Sequence, residues 1–217
     1  MATWTAANYA HLKGAADALR VRAPNLLAVL YAESGLEPTA DNGIAKGLNQ
    51  ITWTNANGWL TKDQWAAIPT LGVDQQIPMV VRSFQRGAGS GREYEGATDL
   101  YQANFAPATL ARGSSDATVL YRSKARGGGV GEDAAYRANI GLDTRHVGQI
   151  EVGDLRRYLI RATSTAGFQK HLVALGEGRP DLGELGGSSW LGDLVSLGLV
   201  GAVGYGGFRY WKTGRVW

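Results

Sequence analysis

Between Pro24 and Gly35 the chain reads PNLLAVLYAESG, and this stretch most constrains the fold. The proline stands at a first-turn position with Leu26, Leu27, Val29 and Leu30 behind it, and Gly35 and Pro38 stop what they start, so the stretch predicts a short apolar helix. Glu33 lies three residues after Leu30, four after Val29 and seven after Leu26, which puts it on the same inward stripe. None of the twelve residues that follow it is basic. A carboxyl so placed is partly desolvated; its neutral form is favoured, and its pKa moves toward the range where it can donate a proton at physiological pH. A lone acid on an apolar face can equally be half of an ion pair with a distant arginine, or a surface position. The stripe alone leaves all three open.

Composition narrows the field. The 217 residues include no cysteine, which excludes disulfides, thiol chemistry and cysteine-ligated metal and is neutral about compartment. Of the 22 Lys and Arg residues, three are Arg209, Lys212 and Arg215, so the remaining 19 balance the 19 Asp and Glu. The net charge of +3 is therefore a property of the tail rather than a basic face, and no nucleic-acid partner is expected. The first twenty residues lack the basic start and uninterrupted apolar stretch of a secretory signal.

Hydrophobic spacing predicts a mainly α chain. Residues 5–20 read as an opening helix, 39–58 as loop or short strands, and 72–86 and 95–103 as helices, with a flexible turn at Gly87–Gly91. Composition breaks at Gly127–Gly131, after which a helix, a tight loop and a helix follow. These breaks suggest a first domain over 1–126, a small helical module over 127–175, a Gly-rich linker over 176–189 and a C-terminal segment over 190–217. That last segment is uncharged from Leu194 to Phe208. Fifteen helical residues rise only about 22 Å, short of a bilayer core, yet Trp190, Tyr210 and Trp211 flank the run, the three cations follow it, and Gly198, Ala202 and Gly206 recur every four residues. A membrane-associated segment is expected there, with a glycine-rich core helix as the alternative.

Downstream of Glu33-Ser34-Gly35 come Pro38, then Gly47-Leu48-Asn49-Gln50 and Thr54-Asn55-Ala56. In this order and spacing the chain resembles the soluble lytic transglycosylases, relatives of goose-type lysozyme, over about residues 20–125. The family's third motif, Ala-Tyr-Asn-Ala-Gly, is replaced by LYQANFAP at Leu100–Pro107, which is similar to the variant in phage-borne lytic enzymes. The resemblance implies a lysozyme-like fold and cleavage of the β-1,4 bond between N-acetylmuramic acid and N-acetylglucosamine in peptidoglycan, with no cofactor. Glu33 would protonate the glycosidic oxygen and then, as base, activate the C6 hydroxyl of the muramoyl residue to close a 1,6-anhydro product. Ser34, Gly47, Gln50, Tyr101, Asn104 and Tyr121 would contact substrate. Most glycosidases need two flanking carboxylates, whereas an internal nucleophile already tethered to the substrate lets one suffice.

Each of these residues also has an ordinary reading: Ser34 as a helix-end polar group, Gly47 as a turn, Gln50 as a loop hydrogen-bonder. Trp53, Trp59 and Trp65 fit sugar stacking or core packing equally. A second acid could come from Glu37, Asp41, Asp63 or Asp74, and one facing Glu33 across a cleft would favour plain hydrolysis. A wall-cleaving chain with no cysteine, no secretory signal and a terminal apolar stretch is expected in a phage virion, acting during genome entry among other virion proteins. A cellular autolysin and a glycan-binding structural protein are the alternatives.

Residues Asp143–Asp154 carry the skeleton of a calcium-binding loop: acid at position 1, glycine at 6, isoleucine at 8 and acid at 12. Arg145 and Val147 occupy positions where oxygen ligands belong, so the loop is expected to keep a helix-loop-helix shape without metal. Three histidines and no cysteine give no zinc site around His146.

Overall fold

The computed structural model describes residues 3–88 and 91–183, and the chain is mainly helical. In order, its elements are α1 (Ala6–Ala18), α2 (Ala23–Ser34), β1 (Ala45–Lys46), β2 (Ile51–Thr52), α3 (Trp53–Ala56), α4 (Lys62–Ala67), α5 (Val73–Ala88), α6 (Ala97–Phe105), β3 (Val119–Arg122), α7 (Val130–Ala138), β4 (Gln149–Glu151), α8 (Val152–Thr163) and α9 (Ala166–Leu175). The helix expected over 72–86 runs two residues further, into the predicted turn.

The described residues are arranged around α2. Eleven of its twelve residues are buried, and the exception is Glu33. Leu26, Leu27 and Leu30 are fully enclosed, each contributing roughly 1.5–3 kcal/mol of burial. Pro24 sits in the first turn, and Gly35 ends the helix with φ 65°, a left-handed conformation that suits glycine, its N–H returning to the Tyr31 carbonyl. Helices α1, α6, α8 and α9 pack around this core helix.

A smaller lobe lies beside the helical body. Strands β1 and β2 pair antiparallel, Ala45 with Thr52 and Lys46 with Ile51, and with α3 and α4 they enclose a second apolar cluster of Ile51, Ala56 and Ile68, against which Trp53, Trp59 and Trp65 pack. Gln76 of α5 fastens this lobe. Its side-chain oxygen accepts from the Leu48 N–H at 2.9 Å, and its nitrogen lies 2.8–3.0 Å from the carbonyls of Pro38, Ile68 and Leu71.

The module expected over 127–175 is not separate. Tyr136, Leu142, Ile150, Leu155, Leu159 and Phe168 belong to the same core as α1 and α2. The reason is an unforeseen strand pair: β3 and β4 join antiparallel, Tyr121 opposite Ile150, which folds α8 back against α2. Nor is the beginning of the expected linker free. The Asp181 carbonyl accepts from the Ala97 N–H at 2.6 Å, its own N–H donates to Asn25, and the Leu182 carbonyl accepts from Thr98. The rest of that linker and the whole apolar segment over 190–217 lie outside the described residues. Among the described residues no helix is long and apolar enough to cross a membrane.

Candidate active site

Glu33 occupies the last turn of α2, where the buried helix reaches the rim of the small lobe. Burial pushes its carboxyl up to about 7, and hydrogen bonds from Asn104 and Tyr101 offset only part of that rise. The residue keeps partial solvent access. An acid that is mostly protonated below neutrality and still reachable from outside is equipped for proton transfer.

Its surroundings are fixed from behind. The Asn104 side-chain nitrogen donates to Glu33 Oε1 at 3.0 Å, while the Asn104 oxygen accepts from Asn49 Nδ2 at 2.8 Å. The second bond orients the first, because an amide accepting through its oxygen must present its NH2 on the other side. Asn49 is itself 2% exposed, so the chain of amides is anchored in the protein. Tyr101 is buried beside Glu33, and burial together with the neighbouring carboxyl raises its hydroxyl well above the usual range. Tyr158 of α8 stacks on Tyr101 with ring centroids 6.0 Å apart and donates to the Ala32 carbonyl at 3.0 Å. Burial first and the Glu33 charge second push Tyr158 up to about 12. Both phenols thus stay protonated and neutral wherever Glu33 titrates.

The other residues singled out from the sequence have different places. Ser34 is buried, its hydroxyl donating to the carbonyls of Leu48 at 2.9 Å and Leu30 at 3.2 Å; it ties the helix end to the loop that carries Asn49. Gly47 has φ 73°, and a Cβ there would stand 2.4 Å from Gln76 Oε1 and 2.5 Å from an Ile68 methyl, so its bareness serves packing of the small lobe. Gln50 is held with φ 46°, uncommon for a residue with a side chain, its amide donating to the Gly47 carbonyl and accepting from Asn42. Tyr121 sits edge-on to Phe105 and donates to that residue's carbonyl at 3.3 Å rather than to Glu33. The indole N–H groups of Trp59 and Trp65 bond the carbonyls of Asn55 and Ile51, and Trp53 packs edge-on to Trp65, so all three help to form the small lobe.

No carboxylate is among the groups that shift Glu33. Asp41 pairs with Lys46, which also lies over the Trp65 ring. Glu37 accepts from Thr39, and Asp63 and Asp74 are exposed in the first turns of α4 and α5.

In the loop at Asp143–Asp154 a guanidinium stands among the acids. Arg145 bonds Glu151 at 2.6 Å and Asp154 at 3.5 Å, and Arg157 also pairs with Asp154. Burial alone would raise Asp143, but the amides of Val147 and Gly148 and the Tyr136 hydroxyl outweigh it and hold the carboxyl below its usual range. Among the described residues no group of three or more His, Asp or Glu side chains is arranged to hold a metal ion.

Asn49 and Tyr158 were not singled out in the sequence. Asn49 stands inside the Gly-Leu-Asn-Gln motif, so a signal existed. Tyr158 carried none, being far along the chain in a segment that reads as another module. No protein-family model, no curated protein and no solved structure matches this chain.

Proposed function

We propose that the chain is a peptidoglycan lytic transglycosylase that uses Glu33 as its single acid and base. The observation that carries this reading is a carboxyl raised to about 7 in the last turn of a buried helix, partly reachable by solvent, with two neutral donors and, among the described residues, no cation as the groups that shift it. The protonated acid delivers its proton to the glycosidic oxygen between muramoyl and glucosaminyl residues, and the C1–O bond breaks as the aglycone leaves. Asn104 and Tyr101 then stabilise the carboxylate by donating to it. That carboxylate takes the proton of the muramoyl C6 hydroxyl as its oxygen bonds C1, which returns Glu33 to its starting form and closes the 1,6-anhydro ring. Among the described residues no carboxylate is one of the groups that shift Glu33, which favours this intramolecular route over hydrolysis with a partner carboxylate to activate water. The resemblance of the Glu-Ser-Gly and Gly-Leu-Asn-Gln segments supports the same reading. Action on the wall from a phage particle, with the 190–217 segment at a membrane, belongs to this proposal.

Digestion of purified peptidoglycan with the wild type and with Glu33→Gln tests it. Anhydro-muropeptides from the wild type, reduced 10²- to 10⁴-fold in rate by the substitution, are expected, that being about the range a positioned general acid contributes. Reducing ends in place of anhydro ends would replace the transglycosylase with a hydrolase. Release unaffected by the substitution would remove Glu33 from the chemistry.

A further inference from the structure

Beside Asn104, between the body and the small lobe, lies a solvent-open pocket of about 200 Å³ whose charge the proposed reaction does not use. Thr54, Asn55 and Asn57 line it from the small lobe, Ser83 and Arg86 from α5, and Asn104 joins it to Glu33. No lining residue is acidic. Among the described residues Arg86 has no ion-pair partner, whereas Arg82, one turn earlier, lies over the Trp59 ring at 5.2 Å. The Arg86 guanidinium reaches the turn after α3: a Cβ on Gly58 would come within 3.4 Å of Arg86 Nη2. It is not among the groups that shift Glu33, so its charge does not tune the acid.

We infer that this pocket is a subsite for a carboxylate-bearing substituent of the glycan, read by Arg86. The inference rests on the proposed function for the identity of the glycan. The hydroxyl and amide side chains match sugar hydroxyls and acetamido groups, which neither need nor repay a charge. A guanidinium without an acidic partner adds what those groups lack: a planar pair of donors for a carboxylate. In peptidoglycan the carboxylate comes from one of two sources, the lactyl group of muramic acid or the stem peptide attached to it, and glucosamine residues carry neither. Arg86 would therefore set which sugar faces Asn104, and so which glycosidic bond meets Glu33.

Binding by the full chain, read by calorimetry at about pH 5.5 where Glu33 is mostly neutral, tests this without turnover. The probes are N-acetylglucosaminyl-N-acetylmuramic acid, the same disaccharide bearing alanyl-glutamate, and the carboxyl methyl esters of both. The wild type is expected to bind at least one acid about tenfold more tightly than its ester, with the preference shrinking as salt rises, because Arg86 is exposed. Whichever acid shows the larger preference identifies the source. Arg86→Gln is expected to bind acid and ester alike at the wild-type ester affinity, and Arg86→Lys to recover part of the preference. Equal affinity for acid and ester in the wild type, or a preference that survives Arg86→Gln, would overturn the assignment. A preference found in a protein that cleaves no peptidoglycan would remove the proposed reaction and keep the site; cleavage with no preference would do the reverse.

Discussion

The carboxyl of Glu33, the acid of the proposed reaction, also bears on stability. In the folded chain it titrates near 7, against 4.5 for an ordinary glutamate, so between those pH values the native state holds a proton that the unfolded chain has released. Stability is therefore fully present below about pH 4.5 and falls as pH rises through about 7, by at most about 3 kcal/mol for a shift of this size. Glu33→Gln removes the titration. The variant is expected to melt about 5–10 °C above the wild type at pH 8 and level with it at pH 4, in thermal unfolding followed by circular dichroism. An equal difference at both pH values would mean that the carboxyl is not held in a desolvated site. Asn104→Ala removes a bond that lowers the Glu33 pKa, so the alkaline limb of the activity profile is expected to move to higher pH while kcat falls. A limb that stays in place would show that the amide does not reach the acid in solution.

At the level of elements, the small lobe is positioned by two contacts that periodicity does not reveal. Gly47 and Gln76 meet where the loop after Gly35 passes over α5, and Gln76 satisfies backbone groups from three separate segments. Gly47→Ala places a methyl into contacts under 3 Å in a left-handed backbone, a loss of about 3 kcal/mol, to be read from denaturant unfolding. A loss below about 1 kcal/mol would mean that the lobe yields easily. The Asp143–Asp154 loop shows the opposite economy: Arg145 brings positive charge among acids that a calcium loop would offer to the ion. Millimolar calcium and chelator are both expected to leave the melting temperature unchanged, and a calcium-dependent rise would show that the guanidinium is displaceable.

For the whole molecule, the chain closes on itself far from Glu33. The N-terminus of α6 has no side-chain cap; the Asp181 carbonyl takes that role by accepting from the Ala97 N–H, while the Leu182 carbonyl accepts from the Thr98 hydroxyl and Asn25 at the start of α2 holds the same segment. The strap thus gathers the N-terminal ends of the two helices whose C-terminal ends carry Glu33 and Asn104. A chain ending at Leu175 is expected to melt several degrees below one ending at Gly183, losing a helix cap of about 1 kcal/mol and the Asn25 bond. Equal melting temperatures would show that the strap contributes nothing. What the sequence determined by itself is local: the bounds of α2, its inward stripe and the acid on it follow from proline, glycine and a 3.6-residue period, which act between near neighbours. The mainly helical class follows for the same reason. Only the tertiary structure decided that Asn49 aims Asn104 at Glu33, that Tyr158 backs Tyr101, that Ser34 and Gly47 serve the scaffold, and that residues 127–175 share one core with α2. Those outcomes depend on groups brought together across long stretches of chain, as Tyr158 and Ala32 are at a separation of 126 residues, and the strand pair that aligns them leaves no periodic trace in either partner.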